Sequence, residues 1–319
     1  MNAPRISFVM AAFDAAPYVE AAIRSALGQT GLAVEVIVVD DASRDDTAAR
    51  VAALAASDPR VRLLRRACGG GPSAARNLAI AQARGDWIAI LDADDLVEPE
   101  RGARLVALAE ESGCAVAADN ALRFLDADPA VAWPLLPRRR PDEIRRFGVS
   151  EYLRRNRMMR GDGNLGYLKP IFSRAFLTAH GIAYDERLRI GEDFNFCLRC
   201  LAAGAELVVT TEPLYRYRVL RGSLSRRLER RDVAAMLAAH ADVHGMSRDR
   251  RVRDADRRYR RSLADAIVYI DFRSALRQRD WAGTIALSRR PRLWLTVAEV
   301  AWSAAKRRLA GRGLRAATT

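Results

Sequence analysis

Short apolar runs alternate with amphipathic helical segments over the first hundred residues, and this order constrains the fold more than any other feature. The helical patterns occupy residues 17–27, 45–56 and 73–83. The apolar runs around them have the length of buried strands: Ile6 to Ala11, Val34 to Val39, Val61 to Leu64 and Trp87 to Leu91. Strands that alternate with helices form parallel sheets through right-handed crossovers. The sequence therefore predicts an α/β fold with a doubly wound, mostly parallel sheet.

Three carboxylates, Asp92, Asp94 and Asp95, follow the fourth apolar run at once. In open α/β sheets, ligands bind just beyond the carboxyl ends of the strands. An Asp-x-Asp pair at that place offers hard oxygen ligands to a divalent cation that bridges a diphosphate. The alternative interpretation is a solvated acidic turn that leads into the helix after Pro99.

Two further polar segments follow predicted strands. Asp40 and Asp41 end the second run, where a carboxylate can accept a hydrogen bond from a uracil or a ribose, or can cap the next helix. Residues 69–72 read Gly-Gly-Gly-Pro and enter a helix whose free N–H groups favour anions, while Arg76 adds a cation near a base or phosphate. The glycine spacing matches neither a dinucleotide-binding fingerprint nor a Walker loop.

A second acidic segment, Gly191-Glu192-Asp193, opens a helix about a hundred residues after the first. The structural explanation is that the helix dipole stabilises a carboxylate in the first turn. The functional explanation makes Asp193 a general base that deprotonates a sugar hydroxyl as it attacks. A metal ion and an arginine would meanwhile neutralise the departing diphosphate.

Four motifs in this order resemble the family 2 glycosyltransferases: residues 39–43 with Thr47, residues 73–77, residues 92–95, and residues 191–193 with Arg199. The resemblance covers about residues 4–220. It implies the glycosyltransferase A-type, Rossmann-like nucleotide-sugar fold and an inverting transfer from a nucleotide-activated sugar, with Mg²⁺ or Mn²⁺ as cofactor. Residues 1–220 would then form the transferase domain.

Carried over by position, the resemblance assigns the donor site. Asp41 would bind the uracil, Arg76 the base or phosphate, and Phe13 would line the nucleotide pocket. Asp92 and Asp94 fit the ribose and metal roles, with Asp94 the better metal ligand. Two departures stand out: Asp14 occupies the place of the usual asparagine after the aromatic residue, and residues 65–68 lack the asparagine often found before the glycine loop.

The resemblance also assigns the reacting centre: Asp193 matches the catalytic base, Glu192 would shape the acceptor site, and Arg199 would brace their helix. Residues 165–170, and residues 215–218 with 223–225, look like the subgroup that builds bacterial exopolysaccharides such as succinoglycan. That likeness puts Lys169 and Arg218 near the acceptor or diphosphate. The alternative is that the tyrosines of residues 215–218 are core residues that flank solvated arginines.

The subgroup resemblance implies a UDP-sugar donor, with glucose as the first candidate, and a glycan acceptor on a polyprenyl-diphosphate carrier. Three alternatives stay open. A transferase of the same fold could act on a protein or small molecule. A nucleotide-sugar binding or assembly protein would lack turnover, although it would not need a base such as Asp193. A basic nucleic-acid-associated protein would bind with a steep salt dependence and would make the Asp-x-Asp segment incidental.

Residues 221–319 carry the whole net charge of +14, with 24 Lys and Arg residues against 10 Asp and Glu. Helical patterns at residues 226–240, 254–279 and 294–309 make this a basic helical C-terminal region. It could bind nucleic acid, but it lacks a reader motif and interleaved aromatic residues. It could also be a solvated surface, or it could contact an anionic membrane.

We favour the membrane interpretation of this region and therefore expect no nucleic-acid partner. The pattern places apolar residues on one helical side with basic residues beside them, as in interfacial helices. The apolar set is Trp294, Leu295, Val297, Val300, Ala301 and Trp302, and the basic set is Arg289, Arg290, Arg292 and residues 306–308.

Cysteine usage and hydropathy bear on location. No second cysteine pair accompanies Cys197 and Cys200, so we expect buried helical thiols rather than a zinc site, with a redox pair as the lesser alternative. The apolar stretch at residues 6–13 is too short for a secretory signal, and no apolar run reaches the length of about 18 residues that spans a bilayer. These features predict a cytoplasmic protein. The basic C-terminal region and the lipid-linked acceptor implied by the subgroup resemblance add the expectation that it is peripheral on the inner face of a bacterial cell membrane.

Overall fold

The computed structural model describes residues 3–136, 143–159, 164–220, 228–241 and 249–316, with side chains beyond Trp302 described only for Ala305. The chain forms two compact units. The first unit is Met1–Val149 with Gly166–Arg226, and the second is Ser150–Leu165 with Arg227–Thr319. Their later boundary lies close to the predicted one at residue 220, while residues 150–165 join the second unit.

The first unit contains one ten-stranded sheet. Its strands are β1 Ile6–Ala12, β2 Val34–Asp40, β3 Val61–Arg65, β4 Trp87–Ile90, β5 Leu96–Val97, β6 Val116–Leu125, β7 Asp128–Pro134, β8 Ile144–Phe147, β9 Ile171–Ser173 and β10 Leu207–Val219. The helices described in the two units are α1 Val19–Leu27, α2 Thr47–Ser57, α3 Gly71–Ala81, α4 Arg101–Ser112, α5 Val149–Arg155, α6 Arg174–Ala179, α7 Glu192–Ala202, α8 Arg230–Ala241, α9 Arg250–Gln278, α10 Trp281–Ser288 and α11 Pro291–Ala316.

The sheet runs in the order β3-β2-β1-β4-β9-β6-β10-β5, with β7 added beside β6 and β8 beside β10. The neighbours β1–β2, β1–β4, β2–β3 and β6–β10 are parallel. All residues of β2 and β4 are buried, as expected for strands covered on both faces. The predicted α/β fold with a doubly wound, mostly parallel central sheet is confirmed.

Helices cover both faces of the sheet. Alternate residues of β1, beginning with Ile6 and Phe8, share one core with Ile23 of α1, Val51 of α2 and Leu105 of α4. Helix α3 also packs on β1 and β2, but its buried residues lie outside that core. Because strand side chains alternate between faces, this places α3 on the opposite face. Because β2 and β4 both pair parallel with β1, the carboxyl ends of these three strands meet at one edge of the sheet.

Residues 129–141 are rich in proline and arginine, and this composition indicates a loop or the start of an insertion. The structure corrects that prediction. Residues 128–134 form β7, which pairs antiparallel with β6; residues 137–142 lie outside the described part. The sequence pattern also indicates a strand at residues 206–209, and β10 is longer, at Leu207–Val219. The register of β10 shifts on both sides of Pro213, and a proline normally marks a strand end in sequence.

In the second unit, α8 and the pair α10–α11 pack against the long helix α9. The buried ring of His240 on α8 bonds to Asp256 of α9. Leu263 of α9 and Leu293 of α11 are also buried. All three predicted C-terminal helices are confirmed within the described residues, and α10 adds a fourth. No helix in the described part is long and apolar enough to cross a membrane.

The prediction for one side of α11 needs a correction. Trp294, Leu295 and Trp302 are exposed as expected, but Val297 and Val300 are partly buried. They lie on the side of the helix that carries Leu293, because its spacing from Val297 and Val300 is four and seven residues. Because α11 packs on α9, the predicted apolar side is divided into a partly buried part, with Val297 and Val300, and an exposed part.

Candidate active site

The loop after β4 presents a compact group of acids. Carboxylate oxygens of Asp92, Asp94 and Asp95 lie within 4.8 Å of one another. Asp95 is buried, and its two oxygens accept bonds from the Tyr215 hydroxyl (2.8 Å) and the Arg218 backbone N–H (2.7 Å). Burial, reinforced by the charges of its two acidic neighbours, raises the pKa of Asp95. Asp95 therefore fastens the acidic loop to β10.

Asp94 is the member of this group that is open to a cation. Its carboxylate has no ion-pair partner among the described residues, whereas its backbone carbonyl accepts a bond from Arg218 Nε at 2.7 Å. Burial, followed by the charge of Asp92, raises the pKa of Asp94 to about 6. A divalent cation would relieve both effects, and carboxylates are the ligands that Mg²⁺ and Mn²⁺ prefer. The residues present therefore fit such an ion.

Asp92 is held by two cations. Its oxygens lie 2.7 Å from Arg76 Nη2 and 2.6 Å from Lys169 Nζ. Burial opposes the charged form, but Lys169 and Arg76 together outweigh it and lower the pKa of Asp92 to about 2. Asp92 is therefore an anion at any physiological pH, with both oxygens engaged within the protein.

The same two cations connect Asp92 to the start of α7. Arg76 Nη1 lies 2.9 Å from Glu192 and 3.1 Å from Asp193, and Lys169 Nζ lies 2.6 Å from the other oxygen of Asp193. These five residues form what we term the ion cluster. Burial alone would lower the pKa of Lys169, but the carboxylates of Asp193 and Asp92 raise it. The ion cluster therefore brings the predicted base into direct contact with some, but not all, of the residues predicted for the donor and the acceptor.

Tyr184 completes the environment of Asp193. Its hydroxyl donates to Asp193 Oδ1 at 2.9 Å, so three donors fix the orientation of this carboxylate. The Tyr184 ring stacks on Phe196 with centroids 4.1 Å apart. The Arg76 guanidinium lies 5.4 Å from the centroid of the same Tyr184 ring. Burial and the charge of Asp193 raise the pKa of Tyr184, which keeps its hydroxyl protonated as a donor.

Asp41 lies at the end of β2 and binds the glycine loop. Its carboxylate accepts the N–H groups of Gly70 (3.0 Å) and Gly71 (2.7 Å) and pairs with Arg66 Nη1 at 2.7 Å. The prediction of free N–H groups in this loop is wrong at these two glycines, because an internal anion occupies them. Phe13, which follows β1 at the same edge of the sheet, is 52% exposed.

Arg218 is neither solvated nor distant from the acidic loop. Besides the Asp94 carbonyl, its guanidinium binds Asp126 at 2.9 Å and lies over the rings of Tyr18 and Phe124. Tyr215, in contrast, is buried as the core alternative expected. Residues 223–225 of the subgroup motif lie outside the described part of the chain.

Sequence comparisons now identify the chain. A family model described as glycosyl transferase family 2 matches residues 7–176. The succinoglycan biosynthesis protein ExoO of Rhizobium meliloti (strain 1021) is 37% identical over 283 residues, which cover 88% of this chain and 80% of that protein. ExoU of the same organism, also a succinoglycan biosynthesis protein, is 34% identical over 78% of this chain and 75% of its own length. The chain belongs to glycosyltransferase family 2.

Solved structures show the same fold in distant proteins. S. aureus TarS 1–349 in complex with UDP-GlcNAc superposes with a TM-score of 0.64 at 16% identity, covering 94% of this family 2 chain and 81% of that chain. The mannosyltransferase PcManGT from Pyrobaculum calidifontis, in complex with GDP-Man and Mn²⁺, gives 0.55 at 17% identity, covering 96% and 87%. The A-type transferase fold implied by the motifs is thereby confirmed.

The sequence did not predict a buried ion pair that lies next to the ion cluster. Arg101, the first residue of α4, binds Asp119 of β6 through Nε (3.0 Å) and Nη2 (2.7 Å), and also donates to the Lys169 carbonyl. The second oxygen of Asp119 accepts the Leu214 N–H at 3.0 Å. The available signal was a lone aspartate inside the apolar pattern of β6, which is unusual for a buried strand.

Two smaller predictions concern residues of helix α7. Arg199 binds Asn195 on its own helix and Asp185 outside it, so it braces α7 as expected. Cys197 and Cys200 lie buried on α7 as free thiols, in agreement with the expectation of buried helical thiols.

Proposed function

We propose that this family 2 glycosyltransferase moves a hexose, with glucose as the first candidate, from a UDP-sugar to a glycan hydroxyl, with inversion at the anomeric carbon. The acceptor is a polyprenyl-diphosphate-linked exopolysaccharide repeat unit. The observation that carries the proposal is the contact between Asp193 and the acidic loop through Arg76 and Lys169. The names of the relatives ExoO and ExoU support the choice of polymer.

In this proposal Asp193 is the general base. Tyr184 and two cations hold its carboxylate in one orientation, so that it takes the proton of the attacking hydroxyl. Glu192, whose pKa is raised by burial and by the charge of Asp193, positions the acceptor beside it. Lys169 and Arg218 assist at the acceptor or the diphosphate, because each lies against the acidic loop.

The donor site is built from the other edge residues. Asp94, as the open carboxylate, and Asp92 beside it would hold Mg²⁺ or Mn²⁺, and the ion would supply positive charge against the leaving diphosphate. Arg76 contributes a further cation, and its Nε is buried without a partner in the described residues, which leaves one donor for a ligand oxygen. Phe13 offers an exposed ring to the base, and Asp41, fixed by the glycine loop, accepts from the uracil.

The direct test compares Asp193→Asn with Glu192→Gln. Asp193→Asn should bind UDP-glucose with Mn²⁺ as the wild type does, but transfer should fall by about a hundredfold or more. Glu192→Gln, its neighbour in the same helical turn, should mainly raise the KM for the acceptor. If Asp193→Asn keeps near-normal turnover, the assignment of the base is wrong.

The donor assignment has its own measurement. Calorimetry with UDP, GDP and their common sugar conjugates, with and without Mn²⁺, should show metal-dependent binding of UDP-sugars in preference to the others. Tight binding of GDP-sugars instead would reject the uracil assignment at Asp41. Absence of binding to every nucleotide by the folded, metal-supplied protein would reject the transferase proposal itself.

We further propose that the protein works as a peripheral protein on the inner face of a bacterial cell membrane, through its basic C-terminal helices and without a nucleic-acid partner. The support is that the excess positive charge is confined to residues 221–319. A lipid-linked acceptor would make such a location useful.

A further inference from the structure

Between Trp294 and Ala305, helix α11 exposes a side whose described residues are all apolar. We term it the indole face; its described members are Trp294, Leu295, Ala298, Ala301, Trp302 and Ala305, all exposed. The three large side chains are 53%, 64% and 65% exposed in chain order. Spacings of one, four, seven, eight and eleven residues put them on one side of the helix. The charged residues described on α11, Arg292 and Glu299, occupy other positions.

The orientation of α11 is fixed by contacts within the second unit. Leu293 and Thr296, on the opposite side, are buried. Arg292 Nε binds Asp265 of α9 at 2.9 Å, and the indole N–H of Trp294 donates to the Ser288 carbonyl of α10 at 2.9 Å. Because these contacts hold the inner side against α9 and α10, the indole face is presented outward.

The charge around this face indicates what covers it. Arg289 and Arg290 are exposed in the turn that leads into α11, and exposed arginines continue along α9. A second copy of the chain would bring a like-charged unit against it, since residues 221–319 carry the whole net charge of +14. Anionic lipid has the opposite charge, and indole rings beside basic residues suit the boundary between headgroups and acyl chains.

We propose that the indole face of α11 inserts into the surface of an anionic bilayer, with Arg289 and Arg290 at the level of the lipid phosphates. The inference deepens the proposed peripheral location and rests on it, because it names the surface and the lipid chemistry that provide the contact. Exposed Trp281 and Ile285, one turn apart on α10, add apolar surface to the same unit.

The test uses the purified full-length chain and vesicles of phosphatidylcholine with or without phosphatidylglycerol, followed by co-sedimentation. Wild-type protein should bind the anionic vesicles and show a blue shift of its tryptophan emission. Leu295→Ser/Trp302→Ser should bind at least about tenfold more weakly. Arg289→Gln/Arg290→Gln should lose about fivefold per charge, an effect that added salt reproduces. Trp294 is kept because its indole also anchors α11.

Ile144→Ser is the matched control, since Ile144 is a similarly exposed apolar residue of the first unit, and this variant should bind vesicles normally. Unchanged melting temperatures must accompany the losses. Vesicle binding by a folded Leu295→Ser/Trp302→Ser variant at the wild-type level would overturn the inference, as would equal binding to neutral vesicles. A wild-type dimer in light scattering that this variant dissociates would instead identify a second copy as the occupant.

Two readouts separate this inference from the proposed function. UDP-sugar binding and transfer to a water-soluble acceptor should be the same in the wild type and in Leu295→Ser/Trp302→Ser. Vesicle binding by wild-type protein without any sugar transfer would support membrane insertion of the indole face and reject the transferase proposal. Transfer without vesicle binding would do the reverse.

Discussion

Replacing Arg101 by methionine should strongly destabilise the first unit. The side chains of Arg101 and Asp119 are both 0% exposed, with 2.7 Å between Nη2 and Oδ1. Methionine retains much of the packing but leaves the Asp119 carboxylate buried without its cation and the Lys169 carbonyl without its donor. Removing one partner of a buried pair costs about 3–5 kcal/mol. That is a large share of the free energy of unfolding, about 5–15 kcal/mol, of a typical protein.

The loss should also depend on pH, and its sign follows from Asp119. Burial raises the pKa of Asp119 even with Arg101 beside it, so removal of Arg101 should raise that pKa further. A carboxyl whose pKa is higher in the folded state keeps its proton there after the unfolded chain has lost it. Stability is therefore retained below the unfolded pKa and falls by up to about 1.4 kcal/mol per pH unit as pH rises toward the folded pKa.

Urea unfolding followed by circular dichroism tests this at about pH 5 and about pH 8, where the loss caused by Arg101→Met should be smaller and larger respectively. The control is Arg101→Met/Asp119→Asn. Asparagine keeps an acceptor for the Leu214 N–H and removes the charge, so the double variant should be more stable than Arg101→Met at the higher pH. The buried-charge argument would be refuted if Arg101→Met lost the same free energy of unfolding at both pH values. It would also be refuted if the loss in the double variant equalled the sum of the losses in Arg101→Met and Asp119→Asn.

Three further predictions concern the site. Asp94→Asn should weaken Mn²⁺-dependent donor binding by about tenfold or more in calorimetry, because it removes the carboxylate that is open to the cation; unchanged affinity would contradict the metal assignment. Tyr184→Phe removes one of three donors to Asp193, and a hydrogen bond to a charged group contributes about 1.5–3 kcal/mol. The kcat should therefore fall about tenfold or more with little change in KM, whereas a change confined to KM would contradict a positioning role. Gly71→Ala should lower the melting temperature, because Gly71 has φ +83° and a left-handed L-residue costs about 1–2 kcal/mol, while Gly148→Ala, in open space without a positive φ, should not.

The ion cluster explains why several predicted roles overlap. Arg76 is predicted for the donor, Lys169 for the acceptor and Asp193 for catalysis, yet the three side chains share the same ion pairs. A substitution of either cation would therefore change the environment of Asp92 and Asp193 together. Kinetic effects of such variants should be read as effects on the group and not on one residue.

Local sequence determined the order of the elements and the edge at which acids accumulate. Runs such as Val34 to Val39 are apolar throughout, which is enough to indicate a strand buried on both faces. Asp41 and Asp94 follow such runs within two or three residues, so their place at the carboxyl edge of the sheet follows from the chain alone. Short strands escape this reasoning, because β5 and β9 have two and three residues and show no period.

Tertiary structure alone decided which side chains meet at that edge. Asp95 binds Tyr215, 120 positions later, and Arg76 binds Glu192, 116 positions later. No local pattern encodes these pairs, because they depend on the order in which parallel and antiparallel strands line up in the sheet. The sequence alone therefore determined the fold class and the chemical character of the site, while burial and strand order decided that Asp94 stays open to a cation when Asp92 and Asp95 are already bound.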